Sequence, residues 1–182
     1  MEFTVRESEE LEINLELSAG WNIISLYIDP AEHDIRDIFN QLVEEEILNR
    51  VVDGQGRFFL PAFNFNNIPA WNTNEAYAVN ISEDAELSVD GFDISADRVI
   101  SLKRGWNAIA YLPEEEIEAP DAFRYITQIY NNLIIAKDAE GHFYVPWDRF
   151  NNMEPLQRGK GYLVKVNRDV RFVWNTDREI DF

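Results

Sequence analysis

Leu11, Ile13, Leu15 and Leu17 alternate with Glu12, Asn14 and Glu16, a period of two that predicts a strand with one dry and one wet face. Ser18-Ala19-Gly20 reads as a turn, and residues 21–28 are apolar enough to predict a second, buried strand that Asp29-Pro30 breaks. Ile35, Ile38, Phe39, Leu42 and Val43 then follow the spacing of an amphipathic helix, with Glu44-Glu45-Glu46 on its solvated side or at its end. Val51-Val52 and Phe58-Phe59-Leu60 flank Asp53-Gly54-Gln55-Gly56, a hairpin with glycines where positive φ is needed, and Pro61 closes its second arm. An Asn- and Phe-rich loop follows, and residues 76–81 with 85–89 predict a further strand pair.

The whole order then returns. Gly20-Trp21-Asn22 recurs as Gly105-Trp106-Asn107, a shift of 85 positions (105 less 20) that holds without a gap through most of the copy. Asp53, Gly56, Phe58 and Pro61 match Asp138, Gly141, Phe143 and Pro146, and Tyr77 and Val79 match Tyr162 and Val164. Pro120 opens the second helix at its first turn, Phe123, Ile126, Tyr130 and Leu133 give its apolar stripe, and residues 161–166 and 170–174 close the unit. The expected fold is therefore α+β, mostly β: two tandem copies of a strand–helix–hairpin–strand-pair unit, packed with pseudo-symmetry. Phe92-Asp93-Ile94 joins them without a flexible spacer, which predicts tight packing. Unit boundaries fall at 18–95 and 96–182. Residues 1–17 align with the strand pair that closes the first unit (Phe3 with Tyr77, Glu12 with Glu86), so they read as the end of a preceding partial repeat or as an edge cap.

Recurring positions show what the unit's geometry demands. Trp21 and Trp106, with Tyr77 and Tyr162, read as core residues, since large aromatics bury much area. Phe65-Asn66-Asn67 with Trp71, and Phe150-Asn151-Asn152 with Trp147, are the candidate ligand-binding loops. Amides that donate and accept beside aromatic faces suit sugar hydroxyls, although the same amides also fasten loop backbone. Each Asp-x-x-Gly turn offers one carboxylate, with Glu140 beside the second. Calcium takes about six or more oxygens, so no metal site is expected.

Composition narrows the classes further. A formal charge of −18 on 182 residues repels nucleic-acid phosphates and anionic membranes. There is no cysteine, which excludes disulfides and thiolate chemistry. No apolar run reaches membrane-spanning length. His33 and His142 occupy non-equivalent places, no nucleophile elbow or phosphate loop occurs, and no cofactor or catalytic residue is expected.

Gly20-Trp21-Asn22-Ile23-Ile24-Ser25-Leu26 and Gly159-Lys160-Gly161-Tyr162-Leu163-Val164-Lys165-Val166 resemble a loosely defined class of uncharacterised bacterial tandem-repeat modules found in secreted or surface-attached proteins. The first copy departs from the closing motif at Asn74-Glu75-Ala76-Tyr77, and the second from the opening motif at Ala108-Ile109-Ala110. The resemblance implies an extracellular adhesive or spacer role and no catalytic residues. The leading expectation is thus a non-catalytic binding or scaffold module that contacts protein or serves as a rigid spacer. A carbohydrate-binding module and an acidic mimic of nucleic acid are the alternatives. The end strands at Phe3-Thr4-Val5 and residues 171–174 are candidates for pairing between molecules.

Overall fold

The computed structural model describes residues 10–129 and 131–174. The described chain is mostly β with short helical turns, an α+β arrangement of four antiparallel sheets. β1 (Glu10–Leu17) carries the alternating pattern, burying Ile13, Leu15 and Leu17. β2 (Gly20–Ile24) and β3 (Ile28–Pro30) divide the apolar run that follows. The helical stripe forms as α1 (Ile35–Ile38) and α2 (Asn40–Glu44), which meet at Phe39. Asp34 caps the first by accepting the Arg36 N–H at 2.8 Å. β4 (Leu48–Val52) and β5 (Phe58–Leu60) make the hairpin, and β6 (Phe65–Asn66) adds to its outer side.

β7 (Tyr77–Ile81) and β8 (Ala85–Asp93) were expected to pair with one another, but they enter different sheets. β7 lies between β2 and β4 in a five-stranded sheet ordered β2-β7-β4-β5-β6, whereas β8 lies between β1 and β3. The reason is a longer pairing than a hairpin with β7 would give. β8 buries Leu87, Val89 and Gly91, and its residues pair with β1 along the whole length of that strand. Phe92 and Asp93 belong to β8 rather than to a linker. Neither does Asp29-Pro30 simply break a strand: Pro30 pairs with Gly91, where any Cβ would crowd the Asp29 carbonyl.

The second half carries β9 (Ile100–Leu102), β10 (Gly105–Ala110), β11 (Leu133–Lys137), β12 (Phe143–Val145), β13 (Phe150–Asn151), β14 (Gly161–Val166) and β15 (Val170–Phe172). Its five-stranded sheet runs β10-β14-β11-β12-β13, the counterpart of the first, down to a matching irregularity in the pairing at Leu48/Arg50 and Leu133/Ile135. α3 (Ala119–Ala122) carries Pro120 in its first turn and is followed by a wide turn over Tyr125–Ile129. Phe123 and Ile126 are buried, but Leu133 falls in β11 and not in the helical stripe; Tyr130 lies outside the described residues. So do Phe3-Thr4-Val5. β1 closes the first half's own sheet, as β9 pairs with β15 in the second; of residues 171–174, Arg171 and Phe172 are paired with β9, and Trp174 is buried.

Each half has its own core. One gathers Leu26, Ile35, Phe39, Leu42, Tyr77 and Leu87, the other Leu102, Tyr111, Phe123, Ile126, Tyr162 and Trp174. The halves meet through backbone. Ser25 N–H donates to Gly159 C=O at 2.9 Å, and Ala110 N–H donates to Asn74 C=O at 3.1 Å, two bonds whose members differ by the repeat shift. Ile24 pairs with Lys160 and Ile109 with Glu75, again reciprocally. Between these pairs Ala76 faces Gly161. A Cβ on Gly161 would overlap the Ala76 Cβ and come within 2.9 Å of Ile23 Cγ2.

Gly161→Ala is thus expected to force the halves apart and to cost about 1–3 kcal/mol of stability, the range for overpacking a tight contact. Denaturant unfolding measures it. Ala76→Gly in the same chain should restore part of the loss, and an unchanged Gly161→Ala midpoint would mean the contact is not tight.

Candidate functional site

The Gly-Trp-Asn motif is a turn lock. Gly20 and Gly105 adopt φ of 97° and 100°, a region in which a side chain is strained. Asn22 accepts the Ser18 N–H at 3.0 Å and donates back to the Ser18 carbonyl at 2.8 Å. Asn107 makes the same two bonds with Lys103, at 2.9 and 2.8 Å. Asp84 accepts the Ala19 N–H and Asp169 the Arg104 N–H, so both turns are held from the short connections after β7 and β14.

Trp21 and Trp106 are not core residues: they are 54% and 48% exposed. β2 and β10 show their alternate residues Ile24 and Ile109 to the cores, which sends each tryptophan to the opposite face. The expectation of a buried run did not anticipate that β2 and β10 pack only one face on a core. Over Trp106 stand the ammonium groups of Lys137 and Lys165, 5.5 and 5.7 Å from the ring centre.

Tyr77 and Tyr162 are buried. Each hydroxyl accepts a backbone N–H at 2.8 Å, from Asn72 and from Gln157, which fixes the loop that precedes the strand. The candidate loops divide. Trp71 is buried, stacked on Tyr77 with ring centres 4.0 Å apart, while Trp147 is 61% exposed on a 3-10 turn over Pro146–Asp148. The asparagines fasten backbone: Asn67 accepts the Phe58 N–H and Asn152 the Phe143 N–H, each at 2.7 Å. Asn66 accepts from Ile68 and Asn151 from Met153. Phe65 and Phe150 remain partly exposed, tilted against Phe58 and Phe143. The loops thus bring amides and rings together, but the amide oxygens already have partners and the first copy's tryptophan is hidden.

The two Asp-x-x-Gly turns also match in construction. Asp53 accepts N–H groups of Gln55 and Arg57 and holds the Arg57 guanidinium at 2.6 Å; Asp138 accepts the His142 N–H and has the His142 ring nitrogen Nδ1 2.9 Å away. With Glu140, the second turn sets three ligand-type atoms within 4.8 Å of one another. Since Arg57 occupies the place of His142, the shared task of that position is to partner the turn's aspartate. His33 stands apart, 3.4 Å from Asp29.

What sequence reasoning missed is a recess at the junction of the halves. It is bounded by Trp21, Tyr27 and β1 on one side and by the second copy's hairpin turn, Arg158 and Lys160 on the other, with a volume of about 640 Å³. The Arg158 guanidinium lies 4.6 Å from the Tyr27 ring centre, and its Nε donates to the Leu112 carbonyl. Nothing in a linear pattern brings residues 16, 21, 140 and 160 together; the contacts across the seam do, the backbone bonds and the Ser25 hydroxyl's bond to the Lys160 carbonyl among them. No known protein family, curated protein or solved structure matches this chain. No described helix is long and apolar enough to cross a membrane.

Burial pushes the Tyr77 and Tyr162 hydroxyls up to about 12. Folded values above the ordinary value near 10 mean that stability from the neutral hydroxyls is complete below about pH 10 and drains as pH rises through about 12. Alkaline unfolding is expected in that window, read by circular dichroism alongside tyrosinate absorbance. Tyr77→Phe with Tyr162→Phe should lower stability at neutral pH and flatten the alkaline edge; an unaltered edge would assign it to other groups.

Proposed function

We propose that the chain is a non-catalytic scaffold and binding module of a bacterial surface or secreted protein, in which two copies of one unit are fixed against each other with pseudo-symmetry. The reading is carried by one observation, the reciprocal pair of backbone bonds, Ser25 to Gly159 and Ala110 to Asn74. In an isologous contact residue i meets j while j meets i, and the bridges Ile24 to Lys160 and Ile109 to Glu75 follow that rule under the repeat shift. Ala76 and Gly161 are an equivalent pair that meet each other. Two side chains cannot both fit at such a point, and one of the pair is glycine.

A spacer transmits position only if its halves do not hinge. Backbone bonds across a seam give that stiffness, because they leave no freely rotating linker between the sheets. The module's partner-facing parts are the outer strands β6 and β13, where Phe65 and Phe150 stand partly exposed at equivalent places beside Phe63 and Trp147 on the preceding turns. A protein surface is the partner such rings suit. Net charge of −18 favours solubility and keeps nucleic acid away. The bacterial and extracellular setting comes from the resemblance of the repeat motifs.

Calorimetry tests the reading. One endotherm is expected, with calorimetric and van't Hoff enthalpies equal, because the halves unfold as a unit. Gly161→Ala should broaden or split it. Two resolved transitions in the unmodified chain would mean independent domains and would remove the rigid-spacer argument.

A further inference from the structure

Two recesses flank the junction, built from corresponding residues. In each, the outward tryptophan of one copy faces the hairpin turn of the other: Trp106 with Asp53-Gly54, and Trp21 with Asp138-Ala139-Glu140. They differ in what has been added. The Trp106 recess is small, about 180 Å³, and two lysines stand over its indole. At the corresponding positions around Trp21 the chain has Val52 and Asn80, which bear no charge, so the larger recess of about 640 Å³ keeps an uncovered, half-exposed indole. That volume lies within the range of about 300–1,000 Å³ usual for small-molecule sites, which favour seams between units.

We propose that the Trp21 recess binds an oligosaccharide of neutral or amino sugars. A flat ring left open to water suits the apolar face of a pyranose. The walls supply the polar partners. Glu16 and Asn14 come from β1, Glu140 from the opposite turn, and Lys160 from the loop before β14, and all four are exposed. Asn14 accepts from Ser88, which leaves its NH₂ to donate. Asp138 and Arg158 are already engaged, by His142 and by Tyr27. Donors and acceptors of both kinds around one aromatic face fit a polyhydroxylated ligand better than an apolar one. Acidic sugars are disfavoured by the net charge of the chain and by the crowd of carboxylates at the lip, where Glu16 sits directly opposite Glu86. An ammonium would relieve that crowding, which is why amino sugars are included. The inference rests on the two halves being rigidly joined, since each contributes a wall.

The test is titration of the full chain with cellotriose, tri-N-acetylchitotriose, chitosan trimer and trigalacturonate, followed by calorimetry and tryptophan fluorescence. At least one of the first three is expected to bind, and trigalacturonate is not. Trp21→Ala should weaken binding by about 10-fold or more, the scale of a lost aromatic stacking contact. Glu140→Arg, which alters the facing wall at an exposed residue, should weaken it too and guards against a Trp21 variant that misfolds. Trp106→Ala and Trp147→Ala should leave affinity unchanged. No binding by any trimer, or loss on Trp147→Ala with Trp21→Ala unaffected, would overturn the proposal. A single calorimetric endotherm alongside absent sugar binding would sink this inference alone and leave the spacer reading standing.

Discussion

The close approach of the two halves at Ala76 and Gly161, where a second Cβ would not fit, sets the spacing on which the rest of the junction depends. A backbone amide reaches a carbonyl across a seam only when the chains come within hydrogen-bond distance of one another, and a second Cβ at this point would hold them apart. With the glycine in place, Ser25 and Ala110 satisfy their N–H groups across the seam, and buried amides left without such partners are costly. Beside the seam, burial and then the charge of Asp53 push the Glu75 carboxyl above the ordinary value.

Much of what recurs between the halves is hydrogen-bonding hardware rather than surface chemistry. Asn22 and Asn107 tie turns, Asp84 and Asp169 hold them from behind, and Tyr77 and Tyr162 peg the preceding loops. Differences between the halves are therefore the more informative places to look for binding. Lysines over Trp106, with Val52 and Asn80 at the corresponding positions around Trp21, and a Gln-Gly-Arg turn set against Glu-Gly-His, make one recess open, with Glu140 and Lys160 both on its wall, while the other is small and capped.

The hairpins around Asp53 and Asp138 were legible because turn chemistry is local, and the helical face of Ile35, Ile38, Phe39 and Leu42 because its period survives the interruption at Phe39. Strand partners were not. Adjacent strands β7 and β8 look like a hairpin in sequence, yet β8 is claimed by β1 over its full length, a long-range pairing that no local rule contains. The tryptophans misled in both directions. Trp21 follows a glycine in an apolar run and reads as core, but lies on an edge strand's outer face; Trp71 sits in a polar loop and reads as a candidate ligand contact, but fills the space over Tyr77. Burial of a single aromatic depends on which face its element turns inward, and that is decided by tertiary packing.

Hydrogen exchange at the Ser25 and Ala110 amides tests most directly that backbone bonding at the seam holds the halves as one body. If it does, both amides exchange as slowly as those of Val79 and Val164 in the central strands β7 and β14, and Gly161→Ala speeds the pair together. Rapid exchange at Ser25 and Ala110 while the central strands stay protected would mean that the seam opens on its own, and would contradict the account.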